Sequence, residues 1–375
     1  MGYLALYRKY RSRSFSELVG QPHISRVLAA AVKNDNIVHA YLFAGPRGTG
    51  KTSTAKILAR AINCEQPLPS GDPCNSCAAC RRDLEGGSMD VIEMDAASNR
   101  GIDEVRELRE KVKYAPAADK YKVYIIDEVH MLTGEAFNAL LKTLEEPPAH
   151  VVFILATTEA HKLPATILSR CQRFDFRRIS EADIIAHLRH IAGAEQIEID
   201  DEALRLLARK AFGGMRDAVS LLDQCSTVAE GPVSAATVTA MLGAADRDFI
   251  SRLVGCLLQK RTTEMLAMIG QLVDEGKDLR AAVADILELC RDMLLSKLSA
   301  QGEPLPDWAD NIAPAEFVNL LSALADTDAK LRYSPTPRIS LELPLIKFCG
   351  LPPAPAAPPT PQPQPEARPA ATAQP

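Results

Sequence analysis

The feature that most constrains this chain is the octapeptide GPRGTGKT at residues 45–52. It matches the pattern G-x-x-x-x-G-K-[ST], whose glycines allow backbone amides to surround a phosphate group. The apolar run AYLF precedes it, and STAKILARAIN follows it with helical spacing. A strand, this loop and a helix in that order predict a nucleotide phosphate site at the positive end of the helix. A glycine-rich turn without a ligand is the alternative interpretation.

Each residue of this loop has an expected position around the nucleotide. Lys51 is expected to reach the outer phosphates of ATP, and the Thr52 hydroxyl is expected to ligate Mg²⁺. The backbone of the six preceding residues is expected to complete the phosphate cradle. These residues are Gly45, Pro46, Arg47, Gly48, Thr49 and Gly50.

Five short apolar runs alternate with helical patterns through the first 180 residues. This alternation predicts an α/β domain with a parallel sheet over residues 1–179. The first four runs are continuously apolar, which is typical of strands covered on both faces. The runs are residues 40–45, 89–96, 122–127, 151–158 and 173–176.

The run KVYIIDEVH ends one of these predicted strands with two adjacent acids. Parallel sheets bind ligands at the carboxyl ends of their strands, so the acids are expected beside the phosphate loop. Asp127 is expected in the Mg²⁺ shell, and Glu128 is expected to orient and deprotonate an attacking water. The pair therefore predicts a nucleotide hydrolase. An acid pair that only ends a strand is the weaker alternative.

Other polar residues stand where they could also reach the nucleotide. Thr157 and Thr158 end the run VVFILATT, where a hydroxyl could hold the γ-phosphate or the water. Threonine is also an ordinary strand residue, so this interpretation has an equal alternative. Arg216 follows two glycines at the start of a helix and could swing onto the nucleotide, or it could be a helix-surface arginine.

Helical periodicity replaces the alternating pattern after residue 179. Residues 180–243 predict a small second domain. Residues 244–350 predict a third, all-helical domain that is better suited to interaction than to catalysis. Residues 351–375 are rich in proline and alanine and predict a disordered linker.

Four of the nine cysteines cluster in the insert at residues 64–80, with the spacing C-x9-C-x2-C-x2-C. Four thiolates can close a tetrahedral Zn²⁺ site, and C-x2-C spacing lets two sulfurs face one ion. A structural zinc contributes on the order of 10–16 kcal/mol, against roughly 2–4 for a disulfide. We therefore expect a structural zinc, with four free thiols as the alternative. The ligands would be Cys64, Cys74, Cys77 and Cys80.

The formal net charge of -5 argues against binding nucleic acid by overall charge alone. The basic run YRKYRSRS is a local exception, and it is either a solvated arm or a functional contact. No apolar run is long enough to span a bilayer, and the first 30 residues lack the apolar segment of a secretory signal. We therefore expect a cytoplasmic protein without a membrane partner. The basic residues of the run are Arg8, Lys9, Arg11 and Arg13.

In order and interval, the motifs GPRGTGKT, IIDEVH, LATT, ILSRC and GGMRDA resemble those of AAA+ ATPases of the clamp-loader group. The segments YLALYRKYRSRSFSELVGQ, MDAASNRGIDEVRE and LLKTLEEPP make the chain most similar to the gamma/tau subunits of bacterial DNA polymerase III. The resemblance covers residues 1–350. It implies an AAA+ P-loop domain, a small helical lid domain and a helical collar domain that joins subunits.

The resemblance also implies residue roles. It places ATP at Lys51 and Thr52, Thr158 in the first sensor position and Arg216 in the second. It makes Arg170, in the motif SRC, an arginine finger that reaches the γ-phosphate held by a neighbouring subunit. A solvated arginine that caps a turn is the alternative interpretation of Arg170.

The implied function is that of an ATP-hydrolysing motor subunit that opens a sliding clamp and loads it onto primer-template DNA. The implied partners are further copies of this chain, delta and delta-prime subunits, the clamp and DNA, with backbone contacts from the segment that contains Arg100. A DNA-translocating AAA+ motor is one alternative, although the chain lacks a pore-loop aromatic pattern. A scaffold that binds nucleotide without hydrolysing it is the other.

Overall fold

The computed structural model describes residues 4–229, 231–241, 247–299, 305–331 and 334–350. The chain forms two compact units that divide after Met241. The linker predicted at residues 351–375 lies outside the described residues. Within the described part of the chain, none of the helices combines the length and the apolar character needed to cross a bilayer.

The first unit begins with alternating helices and strands. Its first helices are α1 Leu6–Lys9, α2 Pro22–Lys33, α3 Lys51–Ile62, α4 Ala78–Leu84, α5 Ile102–Val112, α6 Gly134–Glu145 and α7 Ala165–Leu168. Its strands are β1 Ala40–Ala44, β2 Val91–Asp95, β3 Lys122–Asp127, β4 Val151–Thr157 and β5 Gln172–Asp175.

The strands form one parallel sheet in the order β2-β3-β4-β1-β5. Every residue of β1 and of β4 is buried. Alternate side chains feed two core layers, so Leu42 packs with α5 and α6, whereas Phe43 packs with α2 and α3. The predicted parallel α/β sheet is confirmed, and continuous apolar runs in its centre follow from burial on both faces.

Strand β2 departs from that prediction. Its residues are partly buried or exposed, and Met89, just before it, is 80% exposed. The reason is its place at the edge of the sheet, where β3 is its partner on one side. At this strand, the apolar run therefore predicted burial on both faces incorrectly.

The register brings the carboxyl ends of the strands to one edge of the sheet. Ala44 at the end of β1 pairs with Thr157 at the end of β4, and Asp95 of β2 pairs with Asp127 of β3. The strand order reverses beside β1, because β4 lies on one side of it and β5 on the other. Such a reversal opens a crevice for ligands at the carboxyl edge of a sheet.

The remainder of the first unit is helical. Its helices are α8 Glu181–Glu195, α9 Asp201–Lys210, α10 Met215–Val228 and α11 Ala235–Met241. Ser180 caps α8 by accepting a hydrogen bond from the Asp183 amide, and Asp200 caps α9 through the Ala203 amide. Such caps satisfy amides that have no partner inside the helix, which explains why the helices begin at these residues.

The second unit is helical throughout its described residues. Its helices are α12 Arg247–Leu258, α13 Thr262–Asp274, α14 Leu279–Leu298, α15 Pro314–Leu331 and α16 Pro337–Cys349. One apolar core joins them, with Phe317, Leu320 and Leu324 of α15 fully buried at its centre. The all-helical prediction for this region is confirmed.

Candidate active site and metal centre

The phosphate loop connects the end of β1 to the first residue of α3. Gly45 has φ of +149°, and a Cβ at this position would overlap the carbonyl oxygen of Phe176. Gly50, directly before α3, has φ of +103°. Both backbones occupy conformations that side chains disfavour, so glycine is required for the chain to turn tightly onto the helix N-terminus. The positive end of α3 thus faces the space above the loop.

Lys51 is 6% exposed, and its amine lies on the loop itself. Its Nζ donates to the carbonyl oxygens of Gly45 at 2.9 Å and of Pro46 at 2.8 Å. Burial lowers the pKa of this amine, while Glu128 and Asp127 oppose that shift. Thr49 closes the same turn by donating its hydroxyl to the Pro46 carbonyl at 2.8 Å. A phosphate would offer the Lys51 amine a charged acceptor in place of two carbonyls.

Thr52 and Asp127 meet although 75 residues separate them. The Thr52 hydroxyl donates to Asp127 Oδ2 at 2.6 Å, and the backbone amide of Glu128 donates to Asp127 Oδ1 at 2.9 Å. Adjacent hydroxyl and carboxylate oxygens are ligands that Mg²⁺ prefers. This donor set fits the predicted magnesium site.

Glu128 is held by the residue predicted as a sensor. Its Oε2 accepts hydrogen bonds from the Thr158 amide at 3.2 Å and from the Thr158 hydroxyl at 3.0 Å. Its backbone φ of 47° lies in the left-handed region, which is costly for a side-chain-bearing residue and recurs at functional sites. The structure therefore brings Glu128 and Thr158 together directly.

The two candidate threonines have different surroundings. Thr157 is fully buried, and its Oγ1 lies 3.0 Å from Nδ1 of His130 and accepts from the Glu159 amide at 3.0 Å. His130 Nδ1 also lies 3.4 Å from Glu128 Oε2. Thr157 thus belongs to the supporting network behind the site, whereas Thr158 contacts Glu128 itself.

Arg216 contacts the N-terminal segment of the chain. It follows Met215 at the start of α10, and its guanidinium carbon lies 5.0 Å from the ring centre of Tyr7. Tyr7 belongs to the N-terminal segment, whose basic run the sequence left as either a solvated arm or a functional contact. In the same segment, Arg11 Nε donates to the Ser53 hydroxyl at 3.0 Å.

These residues surround a cavity of about 720 Å³ above the phosphate loop. The loop, Asp127 and Glu128 line one part of it, and its other walls come from the N-terminal segment and the helices after β5. The size and the mixture of polar and apolar lining residues suit a nucleotide. The apolar lining includes Leu18, Val19, Ile179, Met215 and Val219.

Arg170 has partners in its own chain. It lies after α7, where Nη1 donates to the Thr166 carbonyl oxygen at 2.8 Å and Nη2 donates to Glu145 Oε1 at 2.9 Å. The pair is partly exposed, with 33% of the Arg170 side chain accessible. Arg170 is not among the described residues that line the cavity of its own chain.

The four clustered cysteines converge to one point. Their sulfurs all lie within 4.8 Å of one another, with Cys64 Sγ 4.0 Å from Cys77 Sγ and Cys74 Sγ 3.9 Å from Cys80 Sγ. Sulfurs at tetrahedral corners about 2.3 Å from Zn²⁺ would have nearly this separation. The donor set therefore fits a closed zinc site.

Backbone amides support the sulfurs as they would support metal-bound thiolates. The Cys74 amide points to Cys64 Sγ at 3.4 Å, and the Cys77 amide points to Cys74 Sγ at 3.3 Å. Although burial raises it, hydrogen bonds from Ser76 and Cys77 lower the pKa of Cys74 to about 6. By contrast, burial raises the pKa of Cys171 to about 11 and that of Cys290 to about 12. Within the cluster, burial also raises the pKa of Cys64 and of Cys80, so the lowered pKa is a property of Cys74 and not of the cluster as a whole.

Three family models match successive parts of the chain. The family described as "DNA polymerase III, delta subunit" matches residues 20–180. The family described as "DNA polymerase III clamp loader subunit, ATPase lid domain" matches residues 183–231. The family described as "DNA polymerase III subunits gamma and tau domain III" matches residues 233–358.

DNA polymerase III subunit gamma of Buchnera aphidicola is 34% identical over 363 residues, which cover 92% of this chain and 99% of that protein. The chain belongs to the DNA polymerase III gamma/tau family. This confirms the resemblance that the sequence motifs indicated. Other gamma/tau family members are DNA polymerase III subunit tau of Bacillus subtilis, 45% identical, and of Escherichia coli, 40% identical.

The alignments with these two tau subunits cover 93% and 92% of this chain but 64% and 55% of the relatives. This gamma/tau chain therefore spans less than two thirds of the length of those curated relatives. Among solved structures, the Thermotoga maritima RuvB Holliday junction branch migration motor is 19% identical, with a TM-score of 0.48. The match covers 70% of this chain and 85% of the RuvB chain.

Proposed function

We propose that this chain is the ATP-hydrolysing motor subunit of a DNA polymerase III clamp loader, which opens a sliding clamp and loads it onto primer-template DNA. The observation that carries the proposal is the pair of contacts beside the phosphate loop, from Thr52 to Asp127 and from Thr158 to Glu128. Membership of the gamma/tau family supplies the clamp-loader context. The same contacts favour hydrolysis over passive nucleotide storage, because they prepare a magnesium ligand and a base.

In this proposal the phosphates of ATP lie on the amides of the loop from Gly45 to Gly50. The Lys51 amine exchanges its carbonyl partners for the outer phosphates. Thr52 and Asp127 would hold Mg²⁺, which neutralises phosphate charge when it is bound. The apolar side of the cavity takes the base.

Glu128 acts as the general base. Its carboxylate must leave Thr158 and accept a proton from the attacking water, whose oxygen bonds to the γ-phosphorus as the bond from that phosphorus to the bridging oxygen of ADP breaks and ADP leaves. The Thr158 hydroxyl, once released, is free to donate to the γ-phosphate or the water, in keeping with a first-sensor role. Arg216 takes the second-sensor role by turning from Tyr7 onto the phosphates. Arg170 of a neighbouring copy completes the charge stabilisation.

The cysteine cluster has a structural role in this proposal. Cys64, Cys74, Cys77 and Cys80 would hold Zn²⁺ with four sulfurs, a set that leaves no position open for a substrate. Zinc would then order an insert that has little apolar core of its own.

The proposed assembly contains further copies of this chain, delta and delta-prime subunits, the sliding clamp and primer-template DNA. Residues 180–243 serve as the lid over ATP, and residues 244–350 serve as the collar that joins subunits. The segment around Arg100 provides backbone contacts to the DNA. Assembly on chromosomal DNA places the protein in the cytoplasm.

Phosphate release by the chain, assembled with delta and delta-prime, tests this function. We expect release that rises when primer-template DNA and the clamp are added together, with closed clamps recovered on circular DNA. Release that rises with duplex DNA alone, accompanied by movement along it, would identify a translocating motor. Tight nucleotide binding without release under every condition would identify a scaffold.

A further inference from the structure

The N-terminal segment, residues 4–16, touches three separate parts of the first unit, and we call it the strap. It contacts the helices after β5, the first turn of α3 and the cysteine insert. Tyr7, Arg8, Tyr10, Arg11 and Ser12 of the strap line the nucleotide cavity. The position of the strap therefore decides the shape of one cavity wall.

One end of the strap is fixed to the helices proposed as the lid. The Leu6 amide donates to Asp223 Oδ2 of α10 at 3.0 Å, in a buried position. Lys9 Nζ forms an ion pair with Glu195 Oε1 at the end of α8, at 2.6 Å, and the Tyr10 hydroxyl donates to the same carboxylate. This end of the strap is thus attached to α8 and α10.

The other end of the strap is fixed to the cysteine insert. Asp72 Oδ1 accepts hydrogen bonds from the amides of Phe15 at 2.6 Å and Ser16 at 3.4 Å. Asp72 is only 5% exposed, so these are charge-assisted bonds shielded from water. Asn75 Nδ2 also donates to the carbonyl oxygen of Arg13 at 3.3 Å.

Both anchoring residues are part of the metal-binding loop. Asp72 lies two residues before Cys74, and Asn75 directly follows Cys74 with a left-handed φ of 56°. Their side chains can hold the strap only while this loop keeps its fold. The loop has few apolar residues, so the cysteine cluster is what can order it.

We propose that the cysteine insert positions the strap against the nucleotide, with Asp72 as the positioning residue, so that zinc in the cluster raises nucleotide affinity. The proposal rests on the proposed function, because it requires that the cavity bind nucleotide. Zinc orders Asp72 and Asn75, and these two side chains hold residues 13–16 of the strap. Because the strap is held there, Arg11 stays at Ser53, beside Thr52. Phe15 is buried in the sheet core, so loss of the insert shifts the strap and does not release it. Linkage requires that nucleotide raise zinc affinity by the same factor.

The first test is Asp72→Ala in the full 375-residue chain, with binding of a fluorescent ADP analogue and zinc content as readouts. We expect zinc to be retained and affinity for the analogue to fall about fivefold or more, the lower end for linked sites. Glu65→Ala, which removes an exposed carboxylate of the same insert, should keep wild-type affinity. Wild-type affinity in a zinc-loaded Asp72→Ala protein overturns the proposal.

The second test needs no variant. Zinc is removed from the wild-type chain with a chelator, the chelator is removed, and the analogue is titrated before and after zinc is restored. We expect affinity to fall and to recover, and hydrogen exchange at the amides of Phe15 and Ser16 to rise and fall with it. If affinity for the analogue is the same with and without zinc, the proposal is overturned, even if Asp72→Ala does not fold.

Failure of the proposed function gives a different result. A wild-type, zinc-loaded chain that does not bind the analogue, or binds it as well after Lys51→Ala, contradicts the nucleotide site itself and takes the strap proposal with it. A chain that binds in a Lys51-dependent manner with affinity insensitive to zinc and to Asp72 contradicts the strap alone.

Discussion

At the scale of single residues, the Glu128 carboxylate lines the cavity beside the phosphate loop but is hydrogen-bonded to Thr158. Its backbone is left-handed, and its carboxylate is held by the amide and hydroxyl of Thr158, the residue after β4. Both hydrogen bonds end on Oε2, an oxygen that a general base would use to accept a proton. Activation then requires that Thr158 release Glu128, and the arrival of a γ-phosphate that competes for the Thr158 hydroxyl would achieve this.

Glu128→Gln is expected to bind ATP with nearly wild-type affinity and to hydrolyse it about 10²–10⁴ times more slowly, because the amide keeps the shape and loses the basicity. Nucleotide affinity and steady-state turnover, measured on the same preparation, separate the two effects. Glu135→Gln, an exposed acid in the first turn of α6, serves as the control. Turnover of Glu128→Gln at the wild-type rate would show that another group is the base.

The placement of single residues was predictable where a spacing pattern carried it, while their roles stay predictions. Lys51, Thr52, Asp127 and Glu128 stand at fixed offsets from a loop and a strand end, and the structure brings them together as expected. From the residues alone the choice between Thr157 and Thr158 stayed open, since it depends on which hydroxyl faces His130 and which faces Glu128, and it was the resemblance that placed Thr158 in the sensor position. That choice is made by the register of β4 against β3, which no local pattern encodes.

At the scale of elements, the phosphate loop depends on glycine. Gly45→Ala is expected to lower the free energy of unfolding by about 1–3 kcal/mol or more, because the added Cβ meets the Phe176 carbonyl at a strained φ. Nucleotide binding should weaken as well. Gly134→Ala, at the open N-terminal turn of α6, should be neutral or stabilise by about 0.4–1 kcal/mol. Urea unfolding of both variants measures the difference, and equal stabilities would contradict this account of the loop.

The cysteine insert gives a second prediction at this scale. Wild-type protein purified without added zinc is expected to contain one zinc ion per chain by metal analysis, and Cys77→Ser should lose it, because three sulfurs cannot close the site. Residues 64–80 should then become sensitive to limited proteolysis. Cys171→Ser, which changes a cysteine outside the cluster, should retain the metal. A wild-type chain without stoichiometric metal would refute the zinc assignment.

Elements differ in how far the sequence predicted them. The central strands were predictable because their runs are buried on both faces, whereas β2 shows that an apolar run can also form an edge. From the sequence, the basic run of the strap was either a solvated arm or a functional contact. Its contacts to Asp72, Glu195 and Ser53 join residues far apart in the chain, so no periodicity reports them.

At the scale of the whole molecule, one chain provides a nucleotide cavity, while Arg170 is paired with Glu145 elsewhere in the same chain. An exposed ion pair of this kind contributes about 0–1 kcal/mol, so exchanging Glu145 for a phosphate costs little. A planar guanidinium with fixed donors suits the charge that develops on a transferred phosphoryl group. We therefore predict that the site is completed only when a second copy presents its Arg170.

Mixing two inactive variants tests this arrangement. Arg170→Ala is expected to lower ATP turnover by about 10³–10⁵ without loss of nucleotide affinity, and Lys51→Ala is expected to abolish binding. In an equal mixture, about a quarter of neighbouring pairs should join an intact loop to an intact finger, because such contacts are head-to-tail. Turnover in the mixture should therefore exceed that of either variant alone.

Arg173→Ala controls for loss of an exposed arginine near the same place, since Arg173 is paired with Asp175 of its own chain. It should remain active by itself and should not rescue Arg170→Ala beyond its own contribution. Native mass spectrometry must show that the assemblies contain both variants. If assemblies shown to be mixed recover no turnover, Arg170 does not act between chains. If Arg170→Ala alone is fully active, Arg170 is not an arginine finger. Neither result is compatible with a site that one chain leaves incomplete.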